Sequence, residues 1–141
     1  MPTRTADAEW NGEIMTGAGH MRLGSGAFDG PYDFRSRMGD GAGTNPEELI
    51  GAAHAGCFSM ALAAQLGKAG FKPDKISTHA KVHFEQVEGG WQIDRIDLET
   101  EVAAPGLGDG ELQRQAATAK EGCPVSKALK GVEIFLVARL A

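Results

Sequence analysis

The chain has 141 residues, 42% of them hydrophobic, and a formal net charge of −5 with acidic and basic side chains interspersed. That length suits one domain, 1–141, able to bury a core without disulfide staples. The charge pattern holds no basic stripe for nucleic acid, no eighteen consecutive apolar residues offer a membrane helix, and Met1–Asp7 lacks the apolar core of a signal peptide, so the expected setting is cytoplasmic, with no nucleic acid and no membrane as partner.

The first forty-odd residues are glycine-punctuated, at Asn11-Gly12, Gly17-Ala18-Gly19 and Gly24-Ser25-Gly26, around short runs such as His20–Leu23. Tyr32–Met38 alternates apolar and polar side chains, so three antiparallel strands are expected here, the last ending near Arg37. Gly39–Thr44 reads as a loop. Asn45 is then a helix cap, with Pro46 at the first helical position and Glu47 and Glu48 complementing the positive helix end. The helix is expected to run to about Ala69, with Gly70 closing it. Between Leu49 and Ala64 its only clearly polar side chains are His54 and Ser59. A helix apolar all round is buried all round, and Gly51 and Gly56 inside it make sense where something packs against the backbone.

Ile76, Thr78, Ala80, Val82 and Phe84 alternate with polar neighbours as a half-buried strand. Glu88-Gly89-Gly90 turns it, and Trp91–Val102 returns, with a slip of phase between Ile93 and Ile96 that indicates a bulge. Glu111–Glu121 reads as a helix ended by Gly122. Cys123-Pro124 opens a shorter one to about Lys130, and Val132–Leu140 alternates as a final strand. Strands come in runs, so the fold class is α+β with mainly antiparallel sheets and a long buried central helix.

Cys57 and Cys123 are the only thiols. Two cysteines alone make no tetrahedral zinc site, and no Cys-x-x-Cys occurs. In a reducing compartment a disulfide between them is catalytic or sensing rather than structural. Cys57, well inside its helix, is either a small core hydrophobe or a nucleophile, and the latter requires a cation from elsewhere to hold the thiolate. Cys123, at a helix start before Pro124, is either a plain cap or a thiol activated by free N–H groups. Arg37 is the candidate cation and Glu47 its carboxylate partner, against the simpler readings of a solvated arginine and a first-turn acid. His54, three residues before Cys57, either pairs with it or is a satisfied buried histidine. His79 and His83 read as solvated. Glu47 and Cys57 are ten residues apart on one helix, about 15 Å at helical rise. One small pocket using both therefore draws one of them from a second subunit, and a second copy of the apolar helix would also cover what one sheet cannot.

Thr44–Leu62 (TNPEELIGAAHAGCFSMAL) together with Gly122–Lys127 (GCPVSK) resembles the OsmC/Ohr family of osmotically inducible and organic hydroperoxide resistance proteins, and the likeness extends from Trp10 to the last strand. Ile50–His54 resembles the OsmC branch rather than the Ohr branch, whose helix usually carries a tyrosine near this point. The resemblance implies an intertwined homodimer with interfacial active sites. It implies a thiol peroxidase acting on organic hydroperoxides and hydrogen peroxide in oxidative and osmotic stress defence. By matching, Cys57 is the peroxidatic cysteine, Cys123 the resolving one, Arg37 the activating arginine and Glu47 its salt-bridge partner. No metal or prosthetic group is implied; an external dithiol, such as a lipoyl protein, restores the thiols. The competing reading is a non-enzymatic redox sensor or binding protein switched by the same disulfide. A Cys57–His54 hydrolase comes third, lacking an orienting group or oxyanion motif.

Overall fold

Glycine turns cut the first forty residues into three short strands, and the computed structural model, which describes residues 1–141, pairs them as an antiparallel sheet β1–β2–β3: β1 Ala6–Asn11, β2 Ala18–Leu23 and β3 Asp29–Tyr32. The strand expected over Tyr32–Met38 ends at Tyr32, and Phe34–Met38 is a short helix, α1. Asp33 overrides the alternation. Its carboxylate accepts from Ser36 N (2.8 Å) while its own N–H donates to Ser36 Oγ (2.9 Å), a reciprocal capping box. Arg37 therefore sits on a helix rather than at a strand end.

The loop 39–44 is tied back at several points. Ser36 Oγ donates to the Thr44 carbonyl at 2.8 Å, Thr44 N donates to Pro31 O at 3.0 Å, and Asn45 Nδ2 donates to Ser36 O at 3.0 Å. Gly43 adopts φ +113°, and a Cβ there would meet the Pro31 carbonyl at 2.7 Å, so both conformation and space call for glycine. The long helix α2, Pro46–Lys68, starts as its sequence signals dictate, with Glu48 N donating to Asn45 Oδ1 at 2.7 Å. At its far end Gly70 takes φ +93° and Phe71 N returns to Leu66 O, a left-handed closure.

The chain forms two compact units, Met1–Leu49 and Ile50–Ala141, with the division falling inside the first turn of α2. The second unit carries the hydrophobic core. Its sheet has the order β4–β5–β6, built from β4 Lys75–Val87, β5 Gly90–Ala103 and β6 Glu133–Leu140. β4 and β5 form an antiparallel hairpin. Its register jumps from His83↔Arg95 to Phe84↔Ile93, leaving Asp94 as the extra residue of a bulge where the apolar phase slips. β6 pairs parallel to β5, the one parallel pairing in the mainly antiparallel sheets that were expected. The physical reason is the connection: α3 (Asp109–Gly122) and α4 (Pro124–Ala128) carry the chain back over the sheet as a crossover, after which β6 must run alongside β5 in the same direction.

Phe58, Leu62 and Leu66 of α2 pack with Ile96, Leu98 and Val102 of β5 and Leu112, Ala116 and Ala119 of α3. Gly51 meets β4 closely, since a Cβ on it would lie 3.2 Å from Val82 Cγ2. Behind it a hydroxyl ladder, Ser59 Oγ to Thr78 Oγ1 (2.7 Å) to Thr100 Oγ1 (3.0 Å), ties α2 across β4 to β5. Only this side of α2 is covered. Ala53, Gly56, Met60, Ala64 and Gly67, spaced three and four residues apart, are exposed, and Met60 is 76% accessible. The helix expected to be buried all round is thus buried on one face, because apolar composition does not say whether the covering surface belongs to the same chain. By length and composition α2 also meets the requirement for crossing a membrane, which the count of consecutive apolar residues had excluded. Its ends carry Glu47, Glu48 and Lys68, and Phe58, Leu62 and Leu66 lie in the protein's own core.

Candidate active site

Cys123 stands where two helices meet. Its N–H donates to Ala119 O at 2.9 Å, completing α3, and its carbonyl accepts from Lys127 N at 3.0 Å, opening α4. Pro124 enforces this break, because the residue before a proline is driven to extended backbone, and Cys123 has φ −60°, ψ 123°. The corner points the sulfur at α2. Cys123 Sγ and Cys57 Sγ lie 2.9 Å apart in a thiol–thiol hydrogen bond. Both cysteines are free, and a small approach would bring the sulfurs to the covalent distance of about 2.05 Å. Cys57 is half-buried, whereas Cys123 has no accessible surface.

The two thiols are electrostatically unequal. Burial pushes Cys57 up, and the shared hydrogen bond with Cys123 adds to this; the backbone N–H of Val125 only partly offsets both. Burial pushes Cys123 up too, but the hydrogen bond from Cys57, the backbone N–H and hydroxyl of Ser126 and the N–H of Val125 outweigh it and bring the thiol below its ordinary value. No regular cap hydrogen bond closes on the Cys123 side chain, so these donors act together rather than singly. The neutral pair has Cys123 donating to Cys57; the first ionisation reverses the direction, leaving a Cys123 thiolate that accepts from the Cys57 S–H. The Val125 N–H alone does not bring Cys57 down to its ordinary value, which fits the requirement that a cation reach it from elsewhere.

Arg37 and Glu47 belong to the first unit and form the expected pair. Arg37 Nε lies 3.0 Å from Glu47 Oε1 and 3.3 Å from Oε2, and Nη2 lies 2.7 Å from Oε1. This fork grips a carboxylate whose residue is 7% exposed, on an arginine whose side chain is 40% exposed. The guanidinium is thereby fixed with part of its surface still accessible. Glu47 also sits in the first turn of α2, and Thr44 Oγ1 donates to its neighbour Glu48 at 2.8 Å.

His54 does not pair with Cys57. It is fully buried, and its Nε2 lies 2.8 Å from Ser126 Oγ. This bond was not anticipated; the signal for it was the position of Ser126, three residues after the cap Cys123, where a side chain reaches back toward the helix start. His79 is exposed as expected. His83 is not simply solvated: its Nε2 lies 2.7 Å from Asp97 Oδ2, and Arg95 Nε donates to Asp97 Oδ1 at 2.8 Å, which hold the Asp97 carboxyl below its ordinary value.

A buried thiol touching a more accessible one at an α2–α4 contact defines a dithiol redox protein. The chain belongs to the OsmC family: residues 39–136 match the family described as OsmC-like protein. The Peroxiredoxin OsmC of Escherichia coli (strain K12) is 47% identical over 128 residues, 90% of each chain. The organic hydroperoxide resistance protein of Xanthomonas axonopodis pv. citri is 37% identical over 92 residues, 64% of this chain and 63% of that one. Among solved structures, the organic hydroperoxide resistance protein OhrB of Bacillus subtilis superposes with a TM-score of 0.73 at 26% identity, covering 97% of this chain and 98% of that one. The OsmC-like protein of Mycoplasma pneumoniae reaches 0.77 at 15% identity over 99% and 98%, a likeness of fold.

Proposed function

We propose that this protein is a thiol-dependent peroxidase that reduces organic hydroperoxides and hydrogen peroxide in oxidative and osmotic stress defence. The observation that carries the reading is the 2.9 Å contact between the Cys57 and Cys123 sulfurs, which supports a resolving thiol acting beside a nucleophilic one. The names of the relatives, a peroxiredoxin and an organic hydroperoxide resistance protein, agree with it.

Cys57 is the peroxidatic residue, because access decides where ionisation does not: peroxide can approach the half-buried Cys57 but not the enclosed Cys123. The Cys57 thiolate attacks the terminal oxygen of the hydroperoxide, the O–O bond breaks, and alcohol or water departs, leaving a sulfenic acid. The Cys123 thiolate then attacks the Cys57 sulfur. An S–S bond forms, the S–O bond breaks, and hydroxide leaves as water. An external dithiol, a lipoyl-bearing protein being one candidate, returns both thiols by exchange.

Arg37 supplies the charge that Cys57 lacks within its own surroundings, holding the thiolate and the peroxide oxygens, while Glu47 fixes the fork. Glu47 lies about 15 Å along α2 from Cys57, so the Arg37 that serves a given Cys57 comes from a second copy. The exposed Ala53–Gly67 face of α2 is the surface on which that copy packs, and Gly56, with open space around its missing Cβ, lets the second backbone approach. A homodimer located in the cytoplasm is the working form in this reading. The test is loss of cumene hydroperoxide in the presence of dihydrolipoamide or dithiothreitol. Sustained turnover by the wild-type chain and none by Cys57→Ser is expected; a single slow oxidation without turnover would instead favour a redox sensor.

A further inference from the structure

α4 has little of its own to hold it in place. It is five residues long, little more than one turn, and too short to persist alone. Ser126 is its only buried residue; Pro124, Lys127 and Ala128 are exposed, and Val125 is half-buried. The first apolar side chain that packs against the core is Leu129, just past its end. Yet α4 carries Cys123 at its cap, and that sulfur must meet Cys57 of α2. Two side-chain hydrogen bonds tie this segment sideways to α2, three residues apart on each side. One is the thiol contact between Cys57 and Cys123 at 2.9 Å. The other joins His54 Nε2 to Ser126 Oγ at 2.8 Å, between residues 72 apart in sequence.

The second bond is the more protected. His54 has no accessible surface and Ser126 is 9% exposed, so water does not compete for either group. His54 Nδ1 is buried with no hydrogen-bond partner. A bare lone pair there costs less than an unsatisfied N–H, so the proton sits on Nε2 and His54 donates to Ser126 Oγ. The thiol contact, by contrast, is consumed in the cycle. Peroxide converts the Cys57 sulfur to a sulfenic acid at the moment when Cys123 must be at hand.

We propose that the His54–Ser126 bond is the strut that holds α4, and with it Cys123, against Cys57 once oxidation has broken the thiol contact. His54 and Ser126 are positioning residues. They fix where the α4 backbone lies, and neither needs to touch a sulfur or the peroxide. The step served is condensation, a use that rests on the peroxidase reading. There the Cys123 thiolate attacks the Cys57 sulfenic sulfur, the S–S bond forms and the S–O bond breaks. The Cys57 sulfur is reduced as the Cys123 sulfur is oxidised, and the departing hydroxide takes up the proton that Cys123 gave up. The same strut keeps Cys123 beside any mixed disulfide formed at Cys57, whatever thiol formed it.

The first measurement needs no peroxide. Equilibration of the dithiol and disulfide forms against reduced and oxidised glutathione reads the effective concentration of Cys123 at Cys57. Ser126→Ala is expected to lower it about fivefold, the effect of one net hydrogen bond. Ser126→Thr keeps the hydroxyl and stays close to wild type, and His54→Gln, which keeps an N–H donor, falls less than His54→Leu. An effective concentration in Ser126→Ala equal to wild type overturns the proposal. In single-turnover mixing with cumene hydroperoxide, Ser126→Ala is expected to condense to the disulfide about fivefold more slowly, while the preceding oxidation of Cys57 keeps its wild-type rate. Equal slowing of both steps overturns the proposal, because a general loosening of the fold would do that. Cys57→Ser leaves the strut without the thiol contact. Iodoacetamide is expected to label Cys123 several-fold faster when Ser126→Ala is added to Cys57→Ser, and equal rates contradict the strut. If the wild-type chain does not consume hydroperoxide, the peroxidase reading fails, and the glutathione equilibrium still decides whether His54 and Ser126 position Cys123.

Discussion

Cys57 and Cys123 are 66 residues apart in sequence, yet their sulfurs are 2.9 Å apart, and the more enclosed of the two is the more acidic. This asymmetry divides the labour. In the proposed cycle the buried Cys123 attacks and leaves, whereas the more accessible Cys57 meets the peroxide and takes its activating charge from Arg37.

Replacement of each thiol separates the roles. Cys57→Ser is expected to reduce hydroperoxide turnover to background. Cys123→Ser should react once, fail to form an intramolecular disulfide, and pass to sulfinic acid at Cys57 under excess peroxide. Intact mass after one and ten equivalents of cumene hydroperoxide distinguishes these products, and equal resistance of Cys123→Ser and wild type to overoxidation contradicts the resolving role.

Arg37→Ala leaves the Glu47 carboxylate enclosed without its fork. The expected loss of stability is roughly 1–3 kcal/mol, below the range for a fully buried pair because Arg37 is partly exposed. Activity is expected to fall much further than stability, and Arg37→Lys should rescue stability better than activity, since a point charge does not reproduce the planar fork. Denaturant titration and initial rates on the same preparations check both.

The elements of this chain differed in how plainly the sequence displayed them. The Asn45-Pro46-Glu47-Glu48 start of α2 and the Cys123-Pro124 corner are local signals, and both stand where their residues put them. The bulge at Asp94 was legible from a slip in alternation. Phe34–Met38 was not, because the capping box at Asp33 outweighed the seven-residue alternation of Tyr32–Met38. The parallel run of β6 follows from a crossover that no local pattern encodes. The His54–Ser126 bond joins residues from distant elements, so spacing could suggest only the neighbouring Cys57.

Met60 projects from the uncovered face of α2. Met60→Glu places a charge on the surface proposed to receive the second copy, and it is expected to shift sedimentation from dimer to monomer and to abolish turnover together. A Met60→Glu monomer with full peroxidase activity would show that the site is complete within one chain.

His54 also gives the fold a pH dependence with a definite sign. Its folded value lies below the 6.5 of a free imidazole because of burial, so the unfolded chain binds the proton first. Its contribution to stability is therefore intact above about pH 7 and is lost as pH falls below 6.5, by at most about 1.4 kcal/mol per pH unit. Urea unfolding from pH 8 to pH 5 reads the slope, and His54→Gln is expected to flatten it. An unchanged slope in that variant assigns the effect to other groups.

The central claim, that Cys57 and Cys123 of one chain are oxidised together by a hydroperoxide, is tested most directly by peptide mapping. Fully reduced protein is treated with one equivalent of cumene hydroperoxide, alkylated and digested. The expected result is one intramolecular Cys57–Cys123 disulfide per hydroperoxide consumed, with stoichiometric release of the alcohol. Recovery of both cysteines as alkylated thiols with the hydroperoxide intact would contradict it.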